Sequence, residues 1–341
     1  MIKFFKKIRQ KSLSKNNFVQ YLLYAIGEII LVVVGILIAL FISNKNQERI
    51  NKIKITNILK EIQSDLVKNI ERSYVIFDYQ IYTDSVSKLI LNNEYTSEDY
   101  KSNNAHVIGY HYRDFSIITN GFDNLKSNFD NIPKEYQPLL PAIKEMYSLN
   151  KITIDVYNNR LRERVYKNVD DMYEFDWSLN ANNFITGEKE IDYRLNDIHY
   201  KKMIVSYMND RSAIFSLSNN YRLDAINIYH QISKAIKNKD SIPDILKTKT
   251  LNLSRYTGKY QLKETSNSTM WDKEISLKII EEKLSIEPTK NLSQVHLLAR
   301  DERVFYSYPT NLLVVFDRPK TSQVYISSSY GNSYAVYEHK K

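Results

Sequence analysis

Hydrophobic and polar positions divide this chain into three textures. Positions 21–42, YLLYAIGEIILVVVGILIALFI, hold fourteen Leu, Ile or Val and one charged residue, Glu28. A helix of that length rises about 33 Å, enough to cross a hydrocarbon core of about 30 Å. From Ile50 the pattern becomes amphipathic. Leu59, Ile62, Leu66, Ile70, Tyr74, Phe77 and Ile81 step by three or four, with Lys60, Glu61, Asp65, Lys68 and Glu71 between them. This spacing predicts a long helix able to run on from the span. Another helix is expected after Pro138 or Pro141, where Ile143, Tyr147, Ile154, Tyr157, Leu161 and Val165 share a face. Residues 172–196 break the beat and read as a loop or short hairpin. A third helical zone runs from about Asp197 to Lys237, with Ile204, Met208, Phe215, Leu223 and Ile226 apolar. Together these segments predict an up-and-down bundle of three or four helices.

The third texture begins after NKDSIPDILKTK (238–249). Short runs follow, among them EISLKII, KLSIEP, RVFYSYP, NLLVVFDRP and SYAVYEH, with turn residues every 8–12 positions. That is the pattern of an antiparallel barrel or sandwich. The expected fold is therefore α+β. A basic tail (1–20) precedes a transmembrane helix (21–42) and a helical extracytoplasmic domain (43–238). A linker (239–250) then leads to a β-barrel-like domain (251–341).

Charge adds orientation. The formal net charge is +9, but Lys3, Lys6, Lys7, Arg9, Lys11 and Lys15 supply most of it within the first twenty residues, where there is no acid. With that tail set aside the folded part is nearly neutral and carries no basic stripe, so nucleic acid is not an expected partner. Positive charge ahead of the span, against the mixed flank SNKNQERINK after it, places the N-terminus in the cytoplasm and the bulk of the chain in the periplasm or exterior, and a bacterial inner membrane is the expected location. A cleaved signal peptide would have a shorter apolar core ending in an A-x-A-like site, so an uncleaved single-pass anchor is the better fit. The chain has no Cys, which excludes disulfides, Cys-ligated zinc and thiol nucleophiles.

Glu28 lies about 10 Å into the span. The fourteen aliphatic residues contribute about −4 to −8 kcal/mol to insertion, against about 2.5–3.5 kcal/mol for a central carboxylate, so the span inserts despite it. Helical spacing puts Val32, Gly35 and Ala39 on the same stripe as Glu28. Gly35 and Ala39 form a small-x-x-x-small pair that admits a second helix closely. This stripe is expected to pack helices, in a homo-oligomer or with another membrane protein. A tolerated, snorkelling carboxylate and a proton-coupled role are the alternatives.

The stretch FVQYLLYAIGEIILVVVGILIALFISNKN, preceded by MIKFFKKIRQKSLSKN, resembles the N-terminus of an uncharacterised flavobacterial-type family of single-span inner-membrane proteins. TNGFDNLKSN (119–128) resembles the helical region that follows in that family. The resemblance implies architecture and location, and no activity. LNLSRYTGKYQL (251–262), with Tyr256, Gly258 and Tyr260, followed by DERVFYSY and LLVVFDRP, resembles a second group. This is the small β-barrel-like accessory domain appended to serine β-lactamase-like hydrolases, a resemblance that implies a non-catalytic domain.

Candidate chemistry is sparse. Two S-x-x-K strings, Ser12–Lys15 and Ser85–Lys88, lack the partner strand that nucleophilic work needs and read as helix-surface residues. His106, His111 and Asp114 have no usual metal-ligand spacing. Asp170/Asp171 and Glu281/Glu282 read as solvated acid pairs. No catalytic residue, metal or cofactor is assigned. Tyr173, Phe175 and Trp177, with Tyr256, Tyr260 and Trp271 later, are a candidate aromatic ligand surface, or else core and edge residues. The expected role is a non-enzymatic, membrane-anchored scaffold, sensor or interaction module in contact with the lipid bilayer. An envelope hydrolase or its accessory subunit, and a proton-coupled complex using Glu28, are the alternatives.

Overall fold

The computed structural model describes residues 18–102, 108–183, 187–238, 240–246, 251–307, 310, 312–317, 323–328 and 333–340. The apolar and amphipathic segments form one helix. α1 (Phe18–Leu91) runs unbroken for 74 residues, about 110 Å at the α-helical rise. It contains no proline, and its two glycines both fall in the apolar stretch. Residues 22–42 bury almost nothing, whereas from Ile55 the same helix carries a buried row of Ile55, Leu59, Ile62, Leu66 and Ile70. The exposed part is long and apolar enough to cross a membrane. The helix stops at Asn93, which takes the left-handed conformation (φ 60°) while the Glu94 and Tyr95 amides donate to the Leu89 carbonyl. Asn tolerates that conformation better than most residues.

Short helices α2 (Ser97–Ser102) and α3 (Asn120–Lys126) follow. α4 (Leu140–Glu145), with Pro141 in its first turn, passes through a π turn at Met146–Asn150 into α5 (Lys151–Met172). The described residues of 172–196 contain no hairpin. They form a 3₁₀ stretch (Asp176–Asn183) and a nine-residue helix, α6 (Glu188–Asn196). α6 is too short to show a period, and a buried Glu190–Arg194 ion pair one turn apart holds it. α7 (Ile198–Ala235) starts at Asp197, whose carboxylate accepts from the His199 amide at 2.6 Å. It packs antiparallel to α1, with Gln63 bonded to Tyr229 and Ser233 at one end and Asp84 to Arg211 at the other.

An extended segment, 111–119, threads through these helices without a strand partner. Buried backbone must be hydrogen-bonded, and asparagine side chains stand in for the missing strand. The Asn158 amide accepts from the Phe115 N–H (3.1 Å) and donates to its carbonyl (3.0 Å). Asn69 does the same at Ile118, at 2.8 and 3.1 Å. Asn168 holds the Gly109 carbonyl at 2.7 Å. Gly121 then lets α3 lie directly on α1. A Cβ there would meet the Ile62 backbone nitrogen at 2.6 Å, and the Gly121 N–H donates to buried Asp65 at 2.8 Å.

The C-terminal part is a closed antiparallel barrel of eight sequential strands. They are β1 (Gly258–Thr265), β2 (Glu274–Ile280), β3 (Lys283–Ile286), β4 (Val295–Ala299), β5 (Val304–Ser307), β6 (Leu312–Phe316), β7 (Gln323–Ser328) and β8 (Ser333–His339), with β8 closing on β1. Its interior is filled by side chains including Trp271, Leu277, Phe305, Val314 and Tyr337. Tyr256, Gly258 and Tyr260 lock the first strand. The Tyr256 hydroxyl donates to the Glu302 carbonyl (2.6 Å), the Tyr260 hydroxyl donates to the Tyr256 carbonyl (2.9 Å), and Gly258 leaves room for the His339 ring.

Glu281 and Glu282 form the two-residue turn between β2 and β3, both with positive φ (51° and 62°). That turn favours Asn-Gly, and left-handed conformation costs other residues about 1–2 kcal/mol each. Replacing the pair by Asn-Gly is expected to stabilise the barrel by about 1–2 kcal/mol, read as a raised thermal midpoint. An unchanged or lowered midpoint contradicts the assignment of this turn.

Candidate functional site in the helix–barrel cleft

The residues singled out in the sequence lie in different places. Glu28, Val32, Gly35 and Ala39 are exposed along the bare part of α1, and nothing lies within 4 Å of a Cβ placed on Gly35. Phe175 and Trp177 stack at 5.3 Å and both meet Tyr193 of α6, at 4.6 and 5.6 Å. Tyr173 is not in that stack and remains 60% exposed. Tyr256, Tyr260 and Trp271 are barrel core. Asp114 pairs with Arg162, His111 uses its carbonyl to accept from Tyr207, and His106 lies outside the described residues.

A cleft with polar side chains in its lining is found instead where the end of α1 meets the barrel. The barrel docks by the outer face of its later strands. Val304 and Tyr306 of β5 and Leu313 of β6 pack on Phe77 of α1 and Phe215 of α7. Those strands are thus covered on both sides, and all four residues of β5 are buried. Arg222 is fully buried beneath this contact, its guanidinium 4.3 Å from the Tyr306 ring centre and 4.7 Å from that of Tyr74. Asp78 and Arg300 form an ion pair across the same boundary.

Beyond this contact the surfaces part to leave a cleft of about 430 Å³. α1 contributes Gln80, Asp84 and Lys88, spaced one turn apart on one face. α7 contributes Met208, Ser212 and Phe215, and the outer faces of β7 and β8 contribute Tyr325, Ser327 and Tyr334. The Asp84 carboxylate accepts from Arg211 and from the Gln80 amide, both at 2.8 Å. The same Gln80 nitrogen lies 3.4 Å from the Ser212 hydroxyl. Burial pushes the Asp84 carboxyl above the usual carboxylate range, outweighing the opposing pull of Arg211 and Gln80.

Lys88 closes the far side. Its ammonium sits 3.7 Å from the Tyr334 ring centre, 5.0 Å from that of Tyr325 and 3.5 Å from Glu264. The Tyr334 hydroxyl donates to Glu264 at 2.7 Å, and burial raises the Tyr325 hydroxyl well above its ordinary pKa. The sequence matches no established protein family and no curated protein.

The sequence reads Ser85 and Lys88 as helix-surface residues, and the structure adds what Lys88 faces. Lys88 is the clip between helix and barrel, while Ser85, the other end of that S-x-x-K string, is exposed. Asp84 and Arg211 escaped notice altogether. Two signals pointed to them. The polar row Gln80, Asp84, Lys88 runs one turn apart where the apolar beat of α1 fades. The runs RVFYSY and LLVVF do not alternate, as strands buried on both faces do not.

Proposed function

We propose that the protein is a single-pass, non-enzymatic sensor or interaction module of the bacterial inner membrane, with its N-terminus in the cytoplasm and its helical body and barrel in the periplasm. One observation carries the reading. The helix that bears the apolar span also bears Gln80, Asp84 and Lys88 of the cleft, without a break between them. Ile42 and Lys88 are separated by about 69 Å of helix, so displacement at the cleft is transmitted to the membrane as tilt or rotation of one rod. The stripe of Glu28, Val32, Gly35 and Ala39 is the face through which the span assembles with a second copy or with another membrane protein. The small residues Gly35 and Ala39, one turn apart, support it.

The absence of Cys from the sequence makes site-directed labelling direct. Ser102→Cys is expected to react with a membrane-impermeant maleimide in intact spheroplasts, and Ser14→Cys only after permeabilisation. The reverse pattern overturns the orientation. Oxidation of Ala39→Cys in membranes is expected to give a covalent dimer and that of Leu40→Cys none; equal yields from both count against the stripe.

A further inference from the structure

The membrane stripe and the folded body lie on opposite sides of α1. At about 100° per residue, Glu28, Gly35 and Ala39 fall within about 20° of one line along the helix. Ile55, Leu59, Ile62 and Leu66, all buried in the bundle, fall within about 40° of the line diametrically opposite. The body therefore hangs from one side of the rod, and the stripe looks out from the other. A second copy joined through that stripe meets the bare side of α1 and not the body.

The bare side carries apolar residues outside the membrane. Ile50, Ile53 and Val75 stand on it, 45%, 53% and 50% exposed, again within about 40° of the Glu28 line. Asn57 and Ser64 lie between them on the same line and are exposed. The edges of this face are charged. Lys60 and Glu61 flank the line on opposite sides, and so do Lys68 and Glu71. Among the described residues Lys60, Lys68 and Glu71 have no ion-pair partner, and Glu61 accepts from the Asn124 amide at 2.8 Å.

A shared membrane sets two copies parallel, related by a two-fold axis along its normal, so each residue of the face meets its own counterpart. One edge of a rod then meets the other edge of its partner at nearly the same height. Lys60 comes opposite Glu61 of the second copy, and Lys68 opposite Glu71, as the edge charges of paired helices do. Asn57 meets Asn57, a polar contact of the kind that fixes register. This self-complementarity selects a second copy over an unrelated protein. We propose that the protein pairs in parallel with a second copy of itself through the outer face of α1, from the span to Val75. Above that point the barrel comes alongside, with Arg300 on Asp78. The alignment rests on the reading that the span assembles through Glu28, Val32, Gly35 and Ala39.

Oxidation of single-Cys, full-length protein in native membranes tests the pairing. Ile53→Cys is expected to give a covalent dimer in a yield several-fold above that of Lys54→Cys, its exposed neighbour turned about 100° away. Lys68→Glu added to Ile53→Cys is expected to lower the yield about threefold, and Glu71→Lys on top of both to restore it. All four positions are exposed, so these changes leave the core intact. A dimer from Ala39→Cys with none from Ile53→Cys overturns this pairing and leaves the span stripe standing. A dimer from Ile53→Cys with none from Ala39→Cys supports the pairing and overturns the span stripe. No dimer from either overturns both. Three further outcomes overturn the pairing: equal yields at positions 53 and 54, an adduct of other than twice the mass of the chain, or a charge reversal that Glu71→Lys does not rescue.

Discussion

Phe77→Ala is expected to cost about 3–5 kcal/mol and to make the barrel unfold separately from the helices. Phe77 is 1% exposed. Its ring centre lies 5.2 Å from that of Phe215 and 5.9 Å from that of Tyr306, with the guanidinium of Arg300 at 4.9 Å and that of Arg222 at 5.3 Å. One ring thus joins α1, α7, β5 and the turn after β4. The ion pairs that survive its loss include Asp78–Arg300 and Lys88–Glu264, each with one partner more than half exposed. Surface pairs of that kind contribute about 0–1 kcal/mol each, too little to replace the ring.

The chain supplies its own probes. Of its two tryptophans, Trp271 is buried in the barrel and donates to Ser333 at 2.6 Å, while Trp177 belongs to the helical part. In a Trp177→Phe background, Trp271 fluorescence follows the barrel and far-ultraviolet circular dichroism follows the helices. Denaturant transitions seen by the two probes are expected to coincide in the parent and to separate once Phe77 is truncated. Coincident transitions in the Phe77→Ala protein would show that the ring is not what couples the two parts.

The elements that the sequence made legible are those whose burial repeats along the chain. The row Leu59 to Ile70 announced α1, and the shared face of Ile143 to Val165 announced the path of α4 and α5. The strands declared themselves through short runs and turns. What could not be read is whatever depends on pairing between distant positions. The clamps of Asn69 and Asn158 on an extended segment, and of Asn168 on the turn just before it, carry no periodic signal, because they act on backbone 49, 43 and 59 residues away. The short helix α6 rests on an ion pair, on Ile191 and on the stack around Tyr193. The cleft is the extreme case. Its polar residues come from two antiparallel helices and from β1, β7 and β8, far along the chain from α1, and each looks like an ordinary solvated residue within its own segment. Only the non-alternating β5 and β6 runs showed that something covers the outside of the barrel.

Arg211→Met is expected to cost about 3–5 kcal/mol at neutral pH, because it leaves a buried carboxylate without its charge partner. Arg211 is 3% exposed and the Asp84 side chain 13%. In the intact protein the Asp84 carboxyl already stands above its ordinary value of 3.8, since burial outweighs the pull of Arg211. The native state therefore holds this proton more tightly than the unfolded chain does. The ionised carboxylate lowers stability above the raised folded value, and that deficit disappears as the pH falls toward the ordinary one. Removing Arg211 takes away the largest influence that lowers the pKa, so the folded value rises further and the deficit widens with it. Chemical denaturation of Arg211→Met is thus expected to show a large loss relative to the parent at neutral pH and a much smaller one near about pH 5, where more of Asp84 is protonated. Adding Asp84→Asn keeps an acceptor for Gln80 and removes the charge, and the double variant is expected to recover most of the loss at neutral pH. A deficit equal at both pH values, or a double variant no more stable than Arg211→Met, would mean that Arg211 serves there by packing on the Tyr79 and Tyr207 rings, 5.7 and 5.6 Å away, and not by neutralising the cleft.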